Sequence, residues 1–535
     1  MTVTPQGNIY LCNVPLENDY KNQLTFTSKQ NQETYFNSKI IKTFDNYTYI
    51  KKDSVIKLGV NIDDIIGCNY LFYRNNGFSN RYYYCFITNK EYINENVTAI
   101  TIETDVFQTY QYDINYKRCF VEREHTTTDD YGEHTVPENL ETGEYIYDYI
   151  TNADLGSSHI VMASTVSPIT LDANRGGTYG GIVSGVGYYV FQDATALDTC
   201  LNRLAGGDSS LFQGGKLDGV QSIFYLPDFV TGVTSETNWG TYNVVEVPST
   251  AEASISNGIA IPLNPTQIDG YIPKNRKLFT YPFCAYTLSN NQGGAITYHL
   301  EDFLDKGDHT GGIDIKGTCT PGGSIRAIPI NYKITKNSLD YTLDPTLKDK
   351  INDYGLTLGK FPIASWSSDV YTNWLTTNGV SMAVNTAFDW VNAPTGISDV
   401  SFLESVAGNV VSVWQHSLVP RQAEGNINSG DVTFSDGLTT FTGYMTTIKQ
   451  EYAKIIDKYF DMFGYKVNSV KIPNITGRTY WNYVKTINCE LDGDIPMEHI
   501  NILKNMFNKG VTFWHDSTKF LDYSQNNSVP LTPSV

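Results

Sequence analysis

Basic residues are scarce in this chain of 535 residues: 38 Lys and Arg stand against 57 Asp and Glu, a formal charge of −19. Tight binding to DNA or RNA rests on Lys and Arg displacing counterions from phosphates, and the deficit argues against that class. Cysteine is thin as well. The thiols at 12, 68, 85, 119, 200, 284, 319 and 489 never form a C-x-x-C pair, which removes zinc knuckles and dithiol redox motifs. The start, "MTVTPQGNIYLCN", has no basic stretch followed by an apolar run, so no signal peptide is expected. Free thiols and synthesis in a reducing cytosol follow as expectations.

Catalytic signatures are missing too. "REHTTTDDYGEH" (Arg123–His134) offers His125, Asp129, Asp130, Glu133 and His134, but no H-E-x-x-H helix and no third cluster complete a metal site. A solvated, turn-rich connection is the expected role. "KGDHTGGIDIKG" (Lys306–Gly317) sets Asp308 beside His309 without a G-x-S-x-G elbow, and reads as a loop. The glycines of "RGGTYGGIVSGVG" (Arg175–Gly187) lack a following G-K-[ST] and a G-x-G-x-x-G spacing, so a linker or hairpin is expected there. No catalytic residue, metal or cofactor is assigned.

What the chain has in abundance is aromatic: 38 Tyr and 25 Phe, many in runs that fit a pleated, half-buried surface. "NYLFYRNNGFSNRYYYCFIT" (Asn69–Thr88) places two such runs around Asn76-Gly77, a hairpin signal. "VTAITIETDVFQTYQYDI" (Val97–Ile114) alternates at Ile100 and Ile102. From 151 to about 270 the chain reads as an inserted α+β domain, with a helix near Asp193–Ala205 and a strand in "QSIFYLPDFV" (Gln221–Val230). Strands return from Lys277 to Lys333, with a hairpin at "LSNNQGGAITY" (Leu288–Tyr298). Near the end, "EYAKIIDKYFDMFG" carries Tyr452, Ile455, Ile456, Tyr459, Phe460 and Phe463 on one helical stripe that stops at Gly464. "GDIPMEHINILKNMFNKG" predicts a helix capped by Asp494, with Pro496 in its first turn and Gly510 at its close. "YKVNSVKIP" and "TYWNYVKTI" predict strands, and the polar tail after Tyr523 is expected to be loose. Surface Tyr and Trp also admit an adhesin reading, since such rings stack on sugars; aromatics at strand spacing are more often core.

One segment resists this pattern. Phe361 to Pro420 contains no Lys or Arg and holds four of the seven Trp: Trp366, Trp374, Trp390 and Trp414. Within it, "VSFLESVAGNVVSVWQHSLV" (Val400–Val419) is about as long as a bilayer-crossing helix, with Phe402, Leu403, Val406, Val410, Val413 and Trp414 at helical spacing. Glu404 and the internal Asn, Ser and Gly argue against a permanent span. A core helix, a subunit-contact helix and a membrane-seeking helix held in store remain the three readings, the first two favoured by the residues alone.

Four blocks, in order, carry a resemblance: "NVPLENDYKNQLTFTSKQNQETYFNSK" (Asn13–Lys39), "IETDVFQTYQYDINYKRCFVEREH" (Ile102–His125), "FGYKVNSVKIPNITGRTYWNYVKT" (Phe463–Thr486) and "FNKGVTFWHDSTKFLDYSQNN" (Phe507–Asn527). Together they resemble the distal tail knob, or tail tube, proteins of small short-tailed phages of the phi29 group. The match covers about the first 150 residues and from Asp431 onward, and is loose between. The resemblance implies a mainly β fold with α+β parts. Its pieces would be an N-terminal β tube domain (1–150), an inserted α+β domain (151–270), a second β tube domain with a trailing helix (271–377), an apolar helical loop (378–425) and an α+β C-terminal block (426–535).

It further implies a non-enzymatic virion protein, made in the host cytoplasm and placed at the distal tail tip. A homohexamer would form there, contacting other tail proteins (the collar or tail tube and a tip lysin). DNA would pass through without specific binding, helped by acidic walls that repel phosphate. The loop would plug the lumen through Trp390, Ile397, Phe402, Leu403, Val406, Val410, Val411, Val413 and Trp414, and on release would enter the host membrane. Here it is shorter and less glycine-rich than the family's loop. Asp389, Asp399 and Glu404 would make insertion pH-responsive, because a neutral carboxyl enters lipid more cheaply than an ionised one. The rival reading is a cell-wall glycan-binding adhesin, and a wall-degrading hydrolase is a third.

Overall fold

Alternating aromatic and β-branched residues build the described residues mainly as antiparallel sheet. The structure, a computed structural model, describes residues 7–47, 54–75, 81–164, 178–179, 182–183, 187–205, 220–240, 242–247, 253–303, 311–319, 323–330, 332, 354–360 and 440–529. These divide into two compact units. Unit 1 joins Met1–Glu144, Thr266–Phe283 and Ile448–Val535; unit 2 joins Tyr145–Pro265 and Cys284–Thr447.

Unit 1 opens with nine strands: β1 Gly7–Cys12, β2 Asn22–Leu24, β3 Ile40–Tyr47, β4 Val55–Leu58, β5 Tyr70–Asn75, β6 Tyr82–Asn94, β7 Val97–Thr104, β8 Ile114–Tyr116 and β9 Cys119–Glu124. Six of them form one sheet in the order β3-β1-β5-β6-β7-β4. The β5–β6 pair is the hairpin that its aromatic runs predict, with Arg74 opposite Tyr82. One face buries Leu11, Ile56, Leu58, Leu71, Ile100 and Ile102, so Ile100 and Ile102 point inward as their alternation requires. Each fully buried side chain of this size contributes about 1.5–3 kcal/mol. The opposite face buries Tyr70, Phe72, Tyr84 and Phe86 under Phe36 of the helix Lys29–Ser38. Ring centroids from Phe36 to Tyr70 and to Tyr84 are 5.5 and 4.5 Å. The Tyr70 hydroxyl donates to Asp105 (2.9 Å), whose other oxygen caps the helix Val106–Tyr110 at Gln108 N (3.0 Å).

The second sheet of unit 1 is assembled from both ends of the chain. Its order is β2, Val511–Trp514, Trp481–Ile487, β9, Tyr465–Lys471; β2 runs parallel to Val511–Trp514 and the other pairs are antiparallel. Both strands expected from "YKVNSVKIP" and "TYWNYVKTI" are present. The helix Gln450–Phe463 ends at Gly464 (φ +62°), as its sequence predicts. Its buried stripe is Ala453, Ile456, Asp457 and Phe460, while Ile455 is 67% exposed, a correction to the expected stripe. The final helix begins at Met497 behind Pro496 and closes on Gly510; Asp494 does not cap it, because Pro496 occupies the cap position and its carbonyl accepts from His499 N and Ile500 N. Nor are the described residues just beyond Tyr523, 524–529, all loose. Asn527 is buried and accepts from Tyr480 N (3.0 Å) and Trp481 N (3.2 Å) while donating to Trp481 O (2.7 Å).

Unit 2 holds three four-stranded sheets. In the first, Val220–Pro227, Ser158–Ser164, Gly187–Phe191 and Val244–Glu246 lie in that order, and the helix Ala194–Ala205 packs its Leu197, Cys200 and Leu204 against Met162, Tyr189 and Phe191. This is the expected helix and strand of the inserted region, although "PDFV" turns into the short helix Asp228–Thr231. The glycine-rich stretch contains a two-stranded hairpin, Thr178–Tyr179 with Ile182–Val183. In the second sheet, Gly311–Gly317 lies between Ala253–Ile261 and Ser324–Ile330. This half of "KGDHTGGIDIKG" is therefore an inner strand and not a loop; its Ile313 and Ile315 are fully buried. Asp308 and His309 lie outside the described residues. The third sheet orders Tyr145–Asn152, Thr442–Ile448, Cys284–Ser289 and Ala295–Tyr298, the last two being the predicted hairpin. All eight cysteines are free and buried.

Candidate functional site

The residues singled out in "REHTTTDDYGEH" enter a buried polar knot in unit 1. Strand β9 carries Arg123 and Glu124 inward, and His125 follows with 2% exposure. Its Nδ1 accepts from Tyr483 N (2.7 Å), so its Nε2 donates to Asp461 O (3.0 Å). Burial, reinforced by the Arg478 charge, pushes the His125 pKa down to about 3, and the ring is neutral. Asp129 accepts from the Tyr465 hydroxyl (2.6 Å) and from Arg276 N (3.1 Å); burial raises its pKa. His134 meets Thr128 O (2.8 Å). The front of the segment, Arg123–Thr126, is thus a packed wall, while Thr127–His134 is the irregular, turn-rich and largely exposed connection its Thr and Gly suggest. Asp130 and Glu133 do stay exposed.

Two further carboxylates of the knot, Glu138 and Asp457, lie outside that motif. Glu138 is buried and binds Arg123, Lys277 (2.6 Å) and Lys466 N (2.8 Å). Asp457 accepts from Tyr271 (2.7 Å), Lys274 N (2.9 Å), Asn275 N (3.0 Å) and Asn275 Nδ2 (2.8 Å). A carboxylate among the apolar positions of an amphipathic helix is the one sequence signal that points to it. These side chains hold one another in structural hydrogen bonds. No group of three or more His, Cys, Asp or Glu able to hold a metal occurs among the described residues.

Two exposed surfaces stand out instead. On the edge strand Tyr145–Asn152 of unit 2, Tyr145, Tyr147 and Tyr149 share one face by the two-residue period, and Tyr147 lies 63% exposed against Tyr444 at 4.5 Å. The Thr287 hydroxyl lies 3.2 and 3.3 Å from those of Thr297 and Thr446 on neighbouring strands. On unit 1, Val470, Phe120 and Ile487 stand side by side across three strands, and all three are exposed.

The expected plug-loop residues Trp390, Ile397, Phe402, Leu403, Val406, Val410, Val411, Val413 and Trp414, with Asp389, Asp399 and Glu404, lie outside the described residues. Among the described residues, no helix is long and apolar enough to cross a membrane.

The comparisons with known proteins agree with one another. The family model for the C-terminal domain of the Bacillus phage phi29 tail knob protein gp9 matches residues 248–440 and 412–528, and a model for the N-terminus of the caudoviral major tail protein matches 8–115. Tail knob protein gp9 of Bacillus phage B103 is 25% identical, covering 97% of this chain and 97% of that protein. The phage phi29 protein of the same name is 24% identical, covering 97% and 98%. In fold, the chain is similar to the bacteriophage C1 tail knob protein gp12, with a TM-score of 0.55 and 16% identity over 98% of this chain and 99% of that one. A mainly β chain that exposes a tyrosine ladder and an apolar row, matched by the gp9 model over more than half its length, belongs to the tail knob protein family of the phi29 group, structural components of a short phage tail.

Proposed function

We propose that this protein forms a homohexameric tube at the distal tip of the tail, through which genomic DNA passes into the host. The observation that carries the reading is the pair of exposed rows left open on a single copy: the tyrosine ladder of Tyr145, Tyr147 and Tyr149, and the apolar row Val470–Phe120–Ile487, bordered by the Lys485–Glu122 ion pair. Contiguous apolar or aromatic surface is rare on a solitary soluble protein and suits contact with sister chains. The acidity supports the second half. With a formal charge of −19, carboxylates facing a lumen repel phosphate and keep DNA sliding without gripping it. Other tail proteins, a collar above and a tip lysin below, are the further partners in this reading.

In the same proposal, 1–150 and 271–377 supply β tube domains, 151–270 is an insertion between them, and 426–535 is the C-terminal block. The apolar segment 378–425 plugs the lumen until ejection and then enters the host membrane, with Trp390 and Trp414 at interface level. Wrapping by sister chains keeps such a segment out of water in the closed particle. The glycan-binding adhesin remains the rival.

Negative-stain imaging of the purified full-length protein tests the assembly: a six-fold ring with central density is expected, and a stable monomer at all concentrations would overturn it. Retention on purified cell wall by a protein that forms no ring would favour the adhesin. For the loop, a synthetic 385–420 peptide should release dye from anionic liposomes, more so at mildly acidic pH where Asp389, Asp399 and Glu404 take up protons. Equal leakage at neutral pH removes the pH dependence, and no leakage at any pH leaves only a plug.

A further inference from the structure

Unit 1 contains a cleft of about 700 Å³ that the tube reading does not use. We propose that it binds an amino-sugar glycan bearing a carboxylate, a proposal independent of the hexamer. Sugar rings are recognised by rigid aromatic faces against their C–H surfaces, with a few amide and charged groups fixing the hydroxyls. The cleft offers both.

Its aromatic walls are Phe463, Tyr483 and Tyr523. Phe463 and Tyr483 meet edge to face at 5.1 Å and 84°. Tyr523 is backed by Trp481 and Trp514 at 5.1 and 5.0 Å, and the bonds of Asn527 anchor the chain that carries it. These rings are held before any ligand arrives, so little ordering entropy is lost on binding. Gly510 (φ +95°) keeps this wall in place: the Tyr483 hydroxyl passes so close that a β-carbon there would collide with it.

The polar groups come from one helix. Asn505 and Lys509 are four residues apart on Met497–Lys509, hence on the same face, and both line the cleft. Neither makes a side-chain hydrogen bond or ion pair among the described residues. An amide both donates and accepts, which matches an N-acetyl group or a hydroxyl; an ammonium matches a carboxylate. The other lysine of the cleft, Lys21, is paired with Asp19 at 2.9 Å, which leaves Lys509 as its one unpaired cation. A single cation fits one carboxylate and is too few for a polyphosphate.

The test uses full-length protein and titration calorimetry with two sugars. One is the N-acetylglucosamine–N-acetylmuramic acid disaccharide, which carries a carboxylate; the other is neutral diacetylchitobiose. Wild type is expected to prefer the acidic sugar. Lys509→Ala should abolish that preference, an effect of about tenfold for one charge-assisted hydrogen bond, while binding chitobiose as before. Asn505→Ala should weaken both sugars. Both side chains are exposed, and unchanged thermal melts will verify that the fold is intact. Absence of binding to either sugar, or binding that neither variant alters, would overturn the proposal.

Discussion

Glu138 holds two buried cations, and its removal tests how the polar knot stabilises unit 1. Its carboxylate meets Arg123, Lys277 and Lys466 N, with the Lys277 side chain only 2% exposed. Arg123 also lies over the Tyr459 ring (4.9 Å), and Lys277 over that of Tyr465 (5.3 Å). Glu138→Ala leaves both charges desolvated and unpaired, which costs about 3–5 kcal/mol in buried sites. Burial already lowers the Lys277 pKa, so loss of the carboxylate drives that ammonium toward deprotonation and caps the penalty. For a unit of this size, about 2–4 °C per kcal/mol translates the loss into a fall of about 6–20 °C in the unit 1 transition by calorimetry. High salt should not rescue it, since buried charges are poorly screened. The informative comparison is Glu138→Leu with Lys277→Met: replacing the pair by apolar groups should recover much of the loss. A fall below about 1 kcal/mol for Glu138→Ala, the scale of an exposed pair, would refute the reasoning.

Burial holds His125 near 3 and His515 near 4, whereas an unfolded histidine titrates near 6.5. Below about pH 6.5 the unfolded chain therefore takes up protons that the folded one refuses. Stability should fall as pH drops toward 4, by up to about 1.4 kcal/mol per unit for each histidine, and His125→Gln should flatten the slope in denaturant titrations. Gly464 (φ +62°) abuts the backbone carbonyl of Glu124, whereas Gly156 (φ +72°) has open space around it. Gly464→Ala should destabilise by well over the roughly 1–2 kcal/mol of left-handed strain that Gly156→Ala incurs; equal melting shifts would contradict this. Asn527→Ala orphans the buried amide of Trp481 and the part-buried amide of Tyr480, and should cost about 1–3 kcal/mol and expose the tail to limited proteolysis.

Local signals in this chain were legible and long-range ones were not. The Tyr70–Asn75 and Tyr82–Asn94 hairpin could be read because its strands and turn residues are neighbours in sequence. The helix Gln450–Phe463 was legible from its period and its closing glycine, but not the burial of Asp457, whose partners Tyr271, Lys274 and Asn275 are more than 180 residues away. "REHTTTDDYGEH" has the composition of a turn, and only Tyr465, Tyr483 and Arg276 arriving from elsewhere turn its front half into core. The candidate cleft was invisible for the same reason: Asn22, Phe463, Asn505 and Tyr523 share no local pattern.

By itself the sequence determined the mainly β character, the hairpins and the two C-terminal helices. Each of these follows from residue period or turn chemistry within a short window. Only the tertiary structure decided that β2 lies parallel to Val511–Trp514 and that β9 sits between two strands from beyond residue 464, so that both ends of the chain close one core. Such pairings depend on complementary faces meeting across hundreds of residues, and loop-closure entropy grows too slowly with chain length to single out one distant partner in advance.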